Sequence, residues 1–170
     1  MLSEKMQQAL NDQVNMEFGA YYVYLSMSSY FEDKGLPGFA AWMNNHAAEE
    51  LTHAMKIFKY IQSRMGRALL QTIDAPATSW KSPLDAFEDA FRHERAVTIS
   101  IGKLVDLARA ESDHASESFL KWFVDEQVEE EELVDGAIQK LKLVGDTGHG
   151  LYMLDKELAA EVPAPAEPAE

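Results

Sequence analysis

The stretch Glu50-Leu51-Thr52-His53 carries the most chemically pointed spacing in this chain. On a helix, a glutamate and a histidine three residues apart project from one face and can grip a single metal ion. The charge of the whole chain suits cation binding, since Asp+Glu 29 against Lys+Arg 15 gives a net charge of -14. Such a balance disfavours nucleic-acid backbones and anionic membranes as partners. There is no cysteine, which excludes disulfides, thiolate zinc sites, thiolate-held iron–sulfur clusters and cysteine nucleophiles.

Elements must hold that pair in place. Gly and Pro divide the sequence into four long pieces and one short one, and no long piece has an internal proline. The spacing predicts a first helix from about Ser3 to Lys34, stopped by Gly35, and a second from Pro37 to about Met65, ended by Gly66. Residues 67–82 show no sustained helical period. A third helix follows the Ser82-Pro83 start and runs to about Glu111, and a fourth continues to about Val144, with Gly136 a possible bend. A short amphipathic piece spans His149 to Glu161. The long middle connection can cross a bundle's full length, so the second and third helices are expected to run parallel. The fold class is all-α, one domain over residues 1–161, with a Pro/Ala/Glu tail at 162–170 whose composition predicts disorder. No basic-then-apolar leader and no membrane-length apolar run are visible, so a soluble, cytoplasmic protein is expected.

Each long piece carries a four-and-three stripe broken by polar residues. The first reads Leu10, Val14, Glu17, Tyr21, Tyr24, Ser28, Phe31; the second Phe39, Met43, His46, Glu50, His53, Ile57, Tyr60. The third reads Leu84, Phe87, Phe91, Glu94, Thr98, Ile101, Val105, Ala108; the fourth Ser116, Leu120, Phe123, Gln127, Glu130, Val134, Ala137, Leu141. The breaks lie near each helix's midpoint and should meet at one level. Four glutamates in a dry interior, with no Lys or Arg on the stripes beside them, call for bound cations. Two divalent ions would balance them, and oxygen-rich ligation with one imidazole suits iron or manganese.

Other residues compete for roles. His46 lies on the stripe but reads as a core or supporting residue, while His93, His114 and His149 are expected at the surface. In the acidic run from Glu129 to Glu132, Glu131 and Glu132 read as a solvated face. Glu126 and Glu129 sit beside Glu130, as Glu49 sits beside Glu50, and could form a second, wetter metal pocket. Tyr24, leaning toward the N-terminus, could bring its hydroxyl to the carboxylates and donate a hydrogen bond or an electron. Trp122 has the same two readings, core aromatic or redox group.

The series Glu17, Glu50-Leu51-Thr52-His53, Glu94 and Gln127-Val128-Glu129-Glu130, with a long crossover and a short fifth helix, resembles the bacterial non-haem ferritins. Gly148-His149-Gly150-Leu151-Tyr152 and Asp155-Lys156-Glu157-Leu158 extend the likeness. The resemblance implies a ferritin-like four-helix bundle, a fold described in general terms as a di-iron bundle with one long crossover. It implies that Glu17, Glu50 and His53 hold a first iron and Glu50, Glu94 and Glu130 a second, with Gln127 supporting them. It implies a third iron site from Glu49, Glu126, Glu129 and Glu130. Haem-binding relatives carry a second Glu-x-x-His where this chain has Gln127 to Glu130, and a methionine where it has Leu51, so no haem is expected. At the three-fold channel of many ferritins Glu117 keeps one acidic position and Leu120 replaces the other.

The implied activity is ferroxidase: two Fe(II), held ~3.5–4 Å apart as in other two-metal sites, are oxidised by dioxygen or peroxide. Ferric product then accumulates as mineral inside a hollow shell of twenty-four subunits. The competing reading is a stand-alone di-iron redox enzyme of oxygenase or peroxidase type, which would ordinarily carry two Glu-x-x-His motifs.

Overall fold

A computed structural model describes residues 1–162; the expected tail beyond Val162 lies outside the described residues. Five helices follow one another: α1 Glu4–Asp33, α2 Pro37–Ser63, α3 Pro83–Ala110, α4 His114–Val144 and α5 Gly148–Glu161. No strand occurs among the described residues. The expected boundaries hold to within about two residues, and α4 runs unbroken through Gly136.

Local chemistry starts four of the helices. Ser3, Ser82, Asp113 and Thr147 each accept a hydrogen bond from the backbone N–H three residues on, satisfying donors that a helix start leaves open. The exception is α2, whose cap position is Leu36 with no side-chain acceptor. Asp155 of α5 takes its place: its Oδ1 accepts from the N–H of Gly38 at 2.7 Å and of Phe39 at 3.1 Å. Gly38 is obligatory, because a Cβ would fall 1.8 Å from the Asp155 carbonyl oxygen. At the other end of α2 the left-handed residue is Met65, with φ 61°, one residue before Gly66. Gly66 is needed for space instead, since a Cβ there would sit 2.7 Å from Gln7 Oε1.

The connection from α2 to α3 is tied to α1 along its length. Asn11 Nδ2 donates to the Arg67 carbonyl and its Oδ1 accepts from Leu69 N–H. Asn15 donates to Thr72 O, Ser26 to Ala77 O and Tyr30 to Trp80 O. The chain therefore travels from the N-terminal third of α1 to its C-terminal end before α3 begins. That passage makes α3 antiparallel to α1 and parallel to α2.

The core has two lobes. Tyr24, Phe31, Phe39, Trp42, Phe87, Val134 and Leu154 belong to one, and Met6, Leu10, Ile57, Ile101, Leu120 and Phe123 to the other. Between them lies a buried polar band. On α2 and α4 the expected stripes face this core, apart from a half-buried Tyr60. On α1 and α3 they hold at Leu10, Val14, Glu17, Tyr24, Phe31, Phe87, Glu94, Ile101 and Ala108, while the stripe positions between these on α3, and Tyr21 and Ser28 on α1, are half-buried. Gln13, Ala20 and Met27 are buried where the stripe names Val14, Tyr21 and Ser28, although Val14 is buried too. Ala90, Val97 and Leu104 likewise replace Phe91, Thr98 and Val105. Ala20 and Ala90 are smaller than Tyr21 and Phe91, which suits closely approaching helices; the other shifts reflect how far each helix is turned about its axis.

Candidate metal centre

Midway along the bundle, α1 contributes Glu17, α2 contributes His46, Glu50 and His53, α3 contributes Glu94, and α4 contributes Gln127 and Glu130, all buried. Donor atoms of Glu17, Glu50 and His53 lie within 4.8 Å of one another. His53 Nδ1 is 3.5 Å from Glu50 Oε2, and the imidazole packs edge-on against Trp122 and Phe123. Gln13 Nε2 donates to Glu17 Oε1 at 2.8 Å. Oε2 of Glu17 and Oε2 of Glu50 are buried with no hydrogen-bond partner. Such orphaned acceptors are rare and costly.

Electrostatics follow from that burial. Desolvation first, and the Glu50 charge second, push the Glu17 carboxyl well above the usual carboxylate range. Glu50 is pushed up in the same way, by desolvation and then by Glu94, with Glu130 adding further. Glu94 is also raised by burial, against the opposing bond from Tyr24. The donor set fits a divalent cation: hard oxygens, one imidazole, an excess of negative charge, and two oxygens still lacking partners.

Glu94 is better satisfied. Its Oε1 accepts the Tyr24 hydroxyl at 2.5 Å and its Oε2 accepts Gln127 Nε2 at 3.3 Å. Burial and the neighbouring carboxylates push the Tyr24 hydroxyl well above its ordinary range, so it stays a donor. Thr98 links this side to the surface: its single hydroxyl proton is within reach of Glu131 Oε1 at 2.6 Å and of the Glu94 carbonyl at 3.1 Å, and the nearer carboxylate takes it. Glu131 is thus half-buried and bonded rather than part of a solvated face.

Three of the four acids expected in a wetter pocket fall into two overlapping groups that could hold a metal, Glu126 and Glu130 with His53 and Glu49 and Glu130 with His46. Glu49 and Glu130 gather on His46, at 3.3 and 3.2 Å from its Nδ1. Glu126 Oε1 approaches His53 Nε2 at 3.7 Å. Glu129 is exposed and joins no potential metal-binding group among the described residues, although its charge helps to raise Glu126. Lys56 lies over the Trp122 ring, 3.2 Å from its centroid. His114 and His149 are exposed as expected. His93 is not: it is half-buried, its Nε2 has no partner, and desolvation lowers its pKa.

Two contacts are not evident from the stripes. Gln13 sits one turn before Glu17 on the same face, a spacing that could flag it. His46 and Glu49 repeat the three-residue offset of Glu50 and His53 in reverse order, and that offset is the available signal for their contact.

A bundle with one long crossover and a buried carboxylate–imidazole waist defines a class, and comparison with known proteins places the chain within it. Residues 7–144 match the family described as a ferritin-like domain. The chain is 45% identical over 158 residues to a bacterial non-heme ferritin of Bacteroides fragilis, covering 93% of this chain and 98% of that one. It is 42% identical to one from Staphylococcus saprophyticus, covering 94% and 96%. Among solved structures, the open pore ferritin of Archaeoglobus fulgidus superposes with a TM-score of 0.92 at 47% identity, over 94% of this chain and 98% of that chain. This chain belongs to the ferritin family.

Proposed function

We propose that this protein is an iron-storage ferritin with ferroxidase activity. The observation that supports this most is the pair of unpartnered buried oxygens on Glu17 and Glu50, beside His53 and inside an uncompensated cluster of carboxylates. Fe(II) is the substrate. Glu17, Glu50 and His53 bind one ion; Glu94 and Glu130 bind a second, with Glu50 shared between them. Two Fe(II) give one electron each to dioxygen, which takes up two protons and leaves as hydrogen peroxide. Hard anionic oxygens favour the ferric product. Gln13 orients Glu17, while Tyr24 and Gln127 hold the two oxygens of Glu94 in place. Tyr24 is also placed to supply an electron when fewer than two irons are present. A tyrosyl signal in freeze-quench EPR that vanishes in Tyr24→Phe would support that role.

Storage requires a shell of like subunits in the cytoplasm. Self-assembly is supported by an apolar patch at Tyr22, Leu69 and Leu70, each well exposed, and no described helix is long and apolar enough to cross a membrane. Stopped-flow absorbance after Fe(II) addition in air, with native mass measurement after loading, tests the whole reading. Rapid oxidation and an iron-laden large oligomer are expected. Oxidation no faster than in buffer, from a folded protein, overturns it.

A further inference from the structure

We infer that Lys56 is an electrostatic guard on Trp122: its charge holds the indole against one-electron oxidation, so that Tyr24 is the aromatic residue that yields an electron at the waist. Lys56 Nζ lies over the Trp122 ring, 3.2 Å from its centroid. An ammonium is drawn to the electron-rich face of an aromatic ring, and indole offers the best such face. Ion pairs among the described residues engage Arg64, Arg92, Arg109, Lys140 and Lys142. Lys56 belongs to none of them, although the chain carries a net charge of -14. The indole is what its charge meets.

That placement matters because Trp122 touches a residue proposed to bind iron. The His53 imidazole meets the indole edge-on, with ring centroids 5.4 Å apart, so an oxidising equivalent at the Glu17, Glu50 and His53 position has this ring beside it. Loss of one electron from the indole leaves a radical cation, and its positive charge then lies against that of Lys56. Like charges in contact repel, and more strongly away from bulk water. Both side chains are half-buried, so water screens them only in part. Tyr24 has the opposite setting. Its hydroxyl donates to Glu94 Oε1 at 2.5 Å, so the proton passes to that carboxylate as the electron leaves and the ring ends neutral. The direction of electron supply rests on the ferroxidase reading, whereas the guard on the indole is testable without iron.

Lys56→Met keeps the length and bulk over the ring and removes the charge; Lys56→Arg keeps the charge. In the metal-free full chain, a photogenerated Ru(III) polypyridyl complex takes one electron from a side chain and returns to Ru(II), and peptide mass spectrometry locates the oxidised residue. Relative to Trp80 in the same chain, oxidation of Trp122 should rise roughly tenfold in Lys56→Met and stay at the wild-type level in Lys56→Arg. Lys59→Met, which removes the same charge from an exposed position one turn on, controls for attraction of the cationic oxidant and should change nothing. During Fe(II) oxidation in air, freeze-quench EPR should show an indole radical in Lys56→Met and none in the wild type. An iron-free yield at Trp122 that is equal in wild type and Lys56→Met, or that rises as much in Lys59→Met, overturns the guard and leaves the ferroxidase reading standing. An indole radical in the wild type during turnover overturns it as well. A raised iron-free yield in Lys56→Met from a protein that oxidises no iron counts against the ferroxidase reading and leaves the guard in place.

Discussion

The two sides of the buried waist differ in how their carboxylates are satisfied. On the α1–α2 side, Glu17 and Glu50 each keep an oxygen with no partner, and both are pushed well above the ordinary carboxylate range. On the α3–α4 side, Glu94 has both oxygens bonded, to Tyr24 and Gln127, and Glu130 contacts His46. The first side needs a cation to be stable as an anion. The second is held in shape beforehand, so its glutamates lose less when no ion is bound. This difference implies an order of occupancy: the Glu17–Glu50–His53 position fills first and more tightly.

The largest effect should come from Glu50→Gln or Glu17→Gln. Removing such a ligand should slow rapid Fe(II) oxidation by more than the ~10–100-fold typical for an outer supporting partner. The same changes should stabilise the metal-free protein, by about 1–3 kcal/mol, because a buried uncompensated carboxylate is replaced by a neutral group. Glu94→Gln should slow oxidation too but give a smaller stability gain, since bonds from Tyr24 and Gln127 offset part of the burial that raises its pKa. Denaturant melts of the three metal-free variants measure this, and equal gains at all three positions would break the comparison.

Acidity provides the next test. For Glu17, Glu50 and Glu94 the folded-state pKa is raised, so the folded protein holds protons more tightly than the unfolded chain. Their contribution to the metal-free protein is therefore most favourable below the ordinary carboxylate range and is lost as pH rises through the raised values. A bound cation reverses that sign by favouring the anions. The rise in melting temperature caused by Zn(II) should be clearly larger at about pH 7.5 than at about pH 5. Equal shifts at both would mean that the buried carboxylates do not govern binding.

Smaller effects sharpen the contrast between sides. Tyr24→Phe and Gln127→Ala should weaken the second metal-binding step by about tenfold and leave the first unchanged in a calorimetric titration. Asp155→Ala, remote from the waist, should cost about 1–2 kcal/mol through loss of a helix cap without altering the initial oxidation rate. Amide exchange at Gly38 and Phe39 should rise in that variant.

Much of this is legible in the sequence because helix ends are local events. Ser82-Pro83 and Gly35 mark boundaries through their own backbone chemistry, and the length of the α2–α3 connection sets the direction of α3. The polar breaks at Glu17, Glu50, His53, Glu94 and Glu130 stand out because buried acids are rare. What stays hidden depends on how far each helix is rotated about its axis. Gln13 faces the core alongside Val14, Ala20 does so in place of Tyr21, and rotation of α3 turns Thr98 toward Glu131 and half-buries His93. The division of Glu49 and Glu126 between His46 and His53 likewise depends on interhelical placement, which no single helical pattern contains.

The Asp155 cap on α2 has a consequence for the order in which the chain is made. Synthesis delivers Gly38 and Phe39 long before residue 155, so the first turn of α2 stays without this cap, its amides met by water, until Asp155 has been made. The waist residues on α1 to α4 can already have met by then. Docking of α5 is thus a late fastening step. A methyl group at position 38 would obstruct that step alone, leaving a bundle whose final helix has no seat.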